Sequence, residues 1–374
     1  MADGNTDGDD SDLTPIRIDG AERRVVWQPF DLSISTLVEQ IDDGQLVLES
    51  DVQRPYMWSN TRASRLIESL LLNVPIPVCY FSEDDDGHYE VIDGHQRLGS
   101  IHRFVKGEYS LSGLQALNEL NQKRFRTLGN REQRTIGTRT IRCIVLTQES
   151  HPEVKFDVFE RLNTGAVSLS AQELRNCIYR GPLNSLVKEL ATDANTLSIL
   201  NRKSPAPRLR DQELVLRFLA FRADAMNYRP PLRQYLNEFA KANRYASPQE
   251  AGDLADAFHH ALSNSAAALG SWAFRGAGRA SANPERNVNA ALYDTQMLNF
   301  ALFPTETIRA RRTDILREMH RLLEMPAFVD AIRGATADRA RFLTRIRMLS
   351  ERLAAIGLDN GLAEQVQEAE AREP

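Results

Sequence analysis

The chain has 374 residues, 42% of them hydrophobic and 26% charged, which excludes a fibre or a disordered linker and leaves room for two domains of roughly 100–200 residues each. A net charge of −5 excludes wholesale coating of nucleic acid, but the acidity is concentrated at the ends. Asp3, Asp7, Asp9, Asp10 and Asp12 stand near the start, and Glu364, Glu368, Glu370 and Glu373 oppose only Arg372 near the finish, so the body from 13 to 363 is slightly basic, at +3. Both ends read as solvated acidic tails, 1–24 and 356–374. Cys79, Cys143 and Cys177 are odd in number and widely separated, which excludes a disulfide framework or a CxxC metal knuckle and points to a reducing compartment. There is no basic-then-apolar leader, and the most apolar stretch, 70–81, is cut by Asn73, Pro75 and Pro77, so a cytoplasmic chain without a membrane span is expected.

From Phe30 to about Tyr179 short β-rich runs alternate with helical stretches, the pattern of an α+β domain over 25–180. Strands are predicted at Gln45–Leu48, Pro77–Phe81, Tyr89–Ile92 and Thr140–Leu146. After the polar Ser59–Asn60–Thr61, the spacing of Leu66, Ile67, Leu70 and Leu71 predicts a helix, and Leu98, Ile101, Phe104 and Val105 predict another. Ser170 and Glu173 form a capping box, with Leu169 and Leu174 at staple spacing, so a helix begins at Ala171. Beyond Pro182 the strand signals stop. Stripes such as Leu214, Phe218, Leu219 and Phe221, or Ile315, Met319, Leu322 and Leu323, predict an all-α helical domain over 181–355. Its connections fall at Ser204–Pro207, Arg229–Pro231 and the Gly/Ala-rich 274–284. No internal repeat of fixed period is present.

The segment most suited to chemistry is Tyr89-Glu90-Val91-Ile92-Asp93-Gly94-His95-Gln96-Arg97-Leu98, a predicted strand, a two-residue turn and a helix start. A helix N-terminus offers free N–H groups and partial positive charge, so it suits a phosphate. Gly94 would let the backbone approach a ligand, Arg97 would clamp phosphate oxygens, and Asp93 would hold Mg²⁺, orient Arg97 or act as a base. The plainer alternative makes Asp93 an N-cap and Arg97 a surface residue. In Gln53-Arg54-Pro55-Tyr56-Met57-Trp58, Pro55 biases Arg54 toward an extended backbone that projects its side chain. Tyr56 and Trp58, two apart, either stack a base or pack against the core. Further on, Asn163-Thr164-Gly165 is a turn able to present Arg161 and Asn163, or simply a turn.

Between 121 and 142, Lys123, Arg124, Arg126, Arg131, Arg134, Arg139 and Arg142 face the single acid Glu132, and 201–235 holds eight basic residues against Asp211, Glu213 and Asp224. Either is a phosphate-backbone contact surface or an ordinary solvated face. No GxxxxGK[ST], HExxH, GxSxG or Cys/His cluster occurs, which removes Walker-loop NTPases, zinc proteases and serine hydrolases of those types. Glu153-Val154-Lys155 is a chance-level match to the ExK half of a metal-dependent nuclease.

In combination, the Gln53–Trp58 segment, the Ile92–Leu98 turn and the block from Phe159-Glu160-Arg161-Leu162-Asn163-Thr164-Gly165 to Glu173-Leu174-Arg175-Asn176 resemble the GmrSD-type restriction endonuclease N-terminal domain family, over about 30–180. The family's usual turn reads Asp-Gly-Gln-Gln-Arg, so His95 replaces a glutamine with a group that titrates near neutral pH. The resemblance implies a ParB/sulfiredoxin-like fold whose strand–turn–helix binds a nucleoside triphosphate or another phosphate; Mg²⁺ is the candidate companion ion. It also implies a role in sensing modified phage DNA. Family nucleases often carry an HNH-type C-terminal domain; here only His259, His260 and His320 lie beyond 180, so no such arrangement is available.

The leading expectation is therefore an NTP-binding and hydrolysing sensor module of a modification-dependent restriction or anti-phage system, acting on or near DNA. Asp93 and Arg97 are its candidate catalytic residues and Asp93 its candidate metal ligand. Arg54, Tyr56, Trp58, Gly94, His95, Gln96, Arg97, Arg161 and Asn163 are candidate nucleotide-binding residues, and Lys123, Arg124, Arg126, Arg131 and Arg134 candidate DNA contacts. A partner nuclease or methyltransferase subunit and a second copy of the chain are the candidate protein partners. Two alternatives stand beside it: a metal-dependent endonuclease using the same site, and a non-catalytic scaffold.

Overall fold

The structure, a computed structural model, describes residues 26–48, 56, 58–84, 86–147, 149–150, 155–156, 158, 170–277 and 283–372. Chain contacts divide it into one unit ending at Ile178 and another running from Tyr179. The expected N-terminal acidic tail, the Leu169 half of the staple, and Arg54, Arg161 and Asn163 lie outside the described residues.

The first unit is a mixed sheet with helices. Its strands are β1 (Trp27–Ser33), β2 (Leu46–Val47), β3 (Cys79–Glu83), β4 (Tyr89–Asp93) and β5 (Thr140–Leu146), in the order β1-β5-β3-β4-β2. β1 pairs antiparallel with β5 from Trp27↔Leu146 to Ser33↔Thr140; β3 is parallel to β5 and antiparallel to β4; β2 is parallel to β4. Alternation along β5 sends Ile141, Cys143 and Val145 into the core and Arg142 outward, where it pairs with Asp31 of β1 at 2.8 Å. β1 falls outside the predicted strands because Pro29 and Asp31 interrupt its apolar pattern. Both are tolerable on a strand at the edge of a sheet. β3 begins at Cys79 rather than Pro77, and β2 is two residues long.

The helices of this unit are α1 (Ile34–Asp42), α2 (Asn60–Leu71), α3 (His95–Val105), α4 (Asn130–Thr138) and α5 (Ala171–Ile178). Ser33 and Ser59 cap α1 and α2 by accepting from the Thr36 and Arg62 amides at 3.1 and 3.3 Å. Ala63, Leu66, Ile67 and Leu70 of α2 and Leu98, Ile101 and Phe104 of α3 bury one stripe each, against Phe81, Val91 and Cys143 of the sheet side of the core. The capping box of α5 forms in both directions: Ser170 N donates to Glu173 at 2.5 Å and Glu173 N to Ser170 Oγ at 3.2 Å.

Among the described residues from Tyr179 on, regular structure is helical, with one isolated bridge between Ala277 and Pro284. The helices are α6 (Pro182–Thr192), α7 (Ala194–Ile199), α8 (Arg210–Asp224), α9 (Leu232–Ala242), α10 (Pro248–Leu269), α11 (Ala290–Phe300), α12 (Thr305–Ala310), α13 (Arg312–Glu324), α14 (Pro326–Arg333), α15 (Arg339–Ala354) and α16 (Leu362–Ala371). Their common core includes stacked Phe221 and Phe342, with centroids 4.4 Å apart, and Tyr228 edge-on to both. Inside it, Asp294 accepts from both Arg217 and Arg345, all three buried. The expected C-terminal acidic tail is corrected here. Leu362, Val366 and Ala369 recur at helical spacing and are buried, and Asn360 Oδ1 accepts from Leu362 N at 3.1 Å at the helix entry, so the segment is a helix with its glutamates on the outer face.

Candidate functional site

One residue, Gly94, separates the end of β4 at Asp93 from the start of α3 at His95, where a two-residue turn is predicted. Gly94 is the N-cap, at φ +107, and a Cβ there would lie 2.5 Å from Cys79 Sγ. Both facts demand glycine for reasons of fold: the left-handed backbone excludes L side chains and Cys79 of β3 fills the space. Asp93 is consequently not the N-cap. The first intrahelical bond runs from Leu98 N to Gly94 O at 2.8 Å, and the amides before it have no acceptor within the helix itself.

Arg97 folds back onto the strands instead of reaching outward. Its Nη2 donates to Asp93 Oδ2 at 2.7 Å, Nη1 donates to the Pro77 carbonyl, and both nitrogens lie 3.4 Å from the Val78 carbonyl. Its side chain is only 12% exposed while that of Asp93 is 53% exposed. The guanidinium therefore straps the first turn of α3 to the entry of β3 and the exit of β4, and Asp93 is the part of the pair that meets solvent. Cys79 beside it is buried, which pushes its thiol up to about 11; the Arg97 charge pulls the other way and loses.

A second face of α3, made by Gln96, Gly99, Ser100 and Arg103, receives Tyr56 and Trp58. Tyr56 Oη and Ser100 Oγ are 2.8 Å apart, the Arg103 guanidinium lies 4.2 Å over the Tyr56 ring, and a Cβ on Gly99 would come within 3.3 Å of that ring. Trp58 N donates to Gln96 Oε1 at 3.1 Å, and Arg62 covers the Trp58 ring at 4.3 Å. Gln96 Nε2 is 3.4 Å from His95 Nδ1. Neither aromatic lies in a strand, and each packs against its own chain, as the plainer sequence reading has it. The structure thus gathers Tyr56, Trp58, Asp93, Gly94, His95, Gln96 and Arg97 around one helix start.

The basic segment divides by use. Arg124 donates to Gly107 O at 2.6 Å and Arg139 to Leu70 O at 2.8 Å, while Arg142 holds Asp31 through two bonds. Lys123, Arg126, Arg131 and Arg134 are exposed, and their side chains have no hydrogen-bond or ion-pair partner among the described residues. Arg131 and Arg134 stand three apart on α4, hence on one face.

Asp93 does not belong to any group of three metal-capable side chains among the described residues, and a guanidinium already holds one of its oxygens. One such group is Asp84, Asp86 and His88, on the β3–β4 turn. Asp84 Oδ1 accepts from the amides of Asp86 and His88 at 3.0 and 2.8 Å, so ordinary turn chemistry explains the arrangement. Sequence reasoning passed over two features. Cys79 and Cys143, distant in the chain, are direct neighbours in the β3/β5 register. On α5, buried Gln172 accepts from Arg175 at 2.8 Å and donates to Asn176 at 3.0 Å, which makes the Glu173–Asn176 block part of an internal polar ladder. The i, i+3, i+4 spacing of these residues was the available signal.

No helix among the described residues is long and apolar enough to cross a membrane. No curated protein matches the chain. Residues 34–180 match the model for the N-terminal domain of the GmrSD restriction endonuclease. The unit that carries the Asp93–Arg97 turn therefore belongs to the GmrSD restriction endonuclease N-terminal domain family.

Proposed function

We propose that this chain is the nucleotide-responsive sensor of a modification-dependent restriction or anti-phage system, with NTP phosphates bound at the start of α3 in a ParB/sulfiredoxin-like fold. Family membership carries the restriction-system part. The β4–Gly94–α3 junction supports the phosphate part: amides of a helix start, a strapped guanidinium and a solvent-facing carboxylate meet within five residues. In this reading the helix amides take the phosphate oxygens and Arg97 supplies positive charge from behind while holding the turn in shape. Asp93 faces the phosphate side and accepts the proton of an attacking water. Asp93 alone does not fit a resident metal ion, since its one partner among the described residues is a cation. Exposed Lys123, Arg126, Arg131 and Arg134 form the DNA-facing surface.

Calorimetry with the four NTPs, with and without Mg²⁺, tests the phosphate reading; binding of at least one is expected, and silence from all four rejects it. If hydrolysis occurs, Asp93→Ala abolishes it and leaves the circular dichroism spectrum unchanged. Replacing Arg131 and Arg134 together by alanine weakens DNA binding uniformly across sequences and lowers its salt dependence. The scaffold reading has one observation in its favour, because Gly94 and Arg97 both have complete structural explanations. It predicts a stable chain that binds no nucleotide. The nuclease reading has no comparable support among the described residues, where the three-ligand group at the β3–β4 turn is explained by the turn itself.

A further inference from the structure

Within the helical unit, a cleft of about 260 Å³ is lined by Asn227 and Arg229, by Arg339 at the start of α15, and by Gln365, Glu368 and Arg372 of the C-terminal helix. Three arginines from three separate segments line it together with one glutamate, a formal local charge of +2. None of these residues belongs to the family-matched part of the chain, and the α3 site makes no use of them.

The three arginines are held differently, and the difference matters. Arg339 is pinned: its Nε donates to Tyr228 O and its Nη2 to Met226 O, both at 2.8 Å. Tyr228 is itself buried, with its hydroxyl donating to Ala337 O at 2.5 Å, so this wall is preorganised. Arg229 is exposed and has no partner among the described residues, and Pro230 after it restricts its backbone to extended conformations. Arg372 meets Glu368 at 3.3 Å with both side chains more than two-thirds exposed, a pairing that water and ions readily replace. The fold therefore needs neither the Arg229 nor the Arg372 charge, yet both line one cleft with a fixed third arginine.

We propose that this cleft binds a small phosphate monoester. A monoester carries about −1.5 to −2 charge at neutral pH, which matches the local excess, and presents three oxygens to planar donor forks. Asn227 and Gln365 supply neutral amides at the rim for the esterified group. The limited volume favours a mononucleotide-sized molecule over a continuous duplex, which needs open surface. α16 forms one wall, so occupancy ties the C-terminal helix to the Ala225–Arg229 turn.

Hydrogen–deuterium exchange on the full chain, titrated with inorganic phosphate, a nucleoside 5′-monophosphate, and a single-stranded oligonucleotide with or without a 5′-phosphate, tests this directly. The expected result is protection of peptides covering 225–230 and 362–371 by phosphate and by the monophosphate. That protection should weaken on adding salt, and its midpoint should shift about tenfold or more in Arg229→Gln, from loss of a charge-assisted bond. Arg372→Gln gives a second, independent shift. Protection confined to 92–98 would assign the phosphate to the α3 site and overturn the cleft proposal while leaving the sensor reading intact. Overturning results also include no protection at either segment, or protection by the oligonucleotide regardless of its 5′-phosphate.

Discussion

The start of α3 and the cleft beside α16 both set arginine next to a carboxylate, but they commit the charge in opposite ways. Arg97 is satisfied by Asp93 and by the carbonyls of Pro77 and Val78, and is largely covered. The Arg229 side chain has no hydrogen-bond or ion-pair partner among the described residues. A guanidinium that closes a joint resists substitution and gives up its donors reluctantly; one that stands idle is dispensable to the fold and open to a ligand. The same contrast runs through the basic segment, where Arg124, Arg139 and Arg142 serve the structure and Lys123, Arg126, Arg131 and Arg134 do not.

The sharpest break in this comparison is expected at Gly94. Gly94→Ala combines a left-handed backbone with a Cβ placed against Cys79 Sγ, and should cost about 2–5 kcal/mol by the sum of those two penalties. Denaturant unfolding measures it, and a loss under 1 kcal/mol would mean the junction relaxes easily. Next come the two arginines as a matched pair. Arg97→Ala removes the ties to Asp93 and to two carbonyls that close the junction and should destabilise by about 1–3 kcal/mol, whereas Arg229→Ala should stay within about 0.5 kcal/mol of the parent. Equal losses would erase the distinction drawn here.

The smallest expected effect concerns Glu68 of α2, which is 8% exposed and accepts from three successive amides, Gln115, Ala116 and Leu117, at 2.9, 2.7 and 3.0 Å. Burial pushes its pKa up, but the three amides together with nearby Arg65 bring it below the ordinary 4.5. Because the folded value is the lower one, this stabilisation is complete above 4.5 and is lost as pH falls through the folded value. The stability gap between the parent and Glu68→Gln should therefore narrow below pH 4.5 and stay constant above it; a gap that widens on acidification would reverse the assignment.

Features governed by neighbours in the chain were legible in advance. Ser59 and Ser170 announce their helices by capping chemistry, and β5 by alternation. Features governed by distant neighbours were not. That Gly94 is required by a cysteine fifteen positions earlier is a packing fact without a local signature. The carbonyl partners of Arg97, Arg124 and Arg139 are backbone atoms, which any residue can supply, so a count of basic residues overstates the free charge. β1 was hidden by Pro29 and Asp31, and α16 by glutamates as numerous as its three buried positions. Of the candidate site, the residues from Asp93 to Arg97 and their meeting with Tyr56 and Trp58 followed from the motifs; the inward direction of Arg97 did not.

If phosphate oxygens meet the amides at the start of α3, nuclear magnetic resonance of the amide-labelled chain during NTP titration will register it there. The largest shifts are expected at Gly94, His95, Gln96 and Arg97, saturating together. Shifts that saturate elsewhere while these four amides stay still would contradict it.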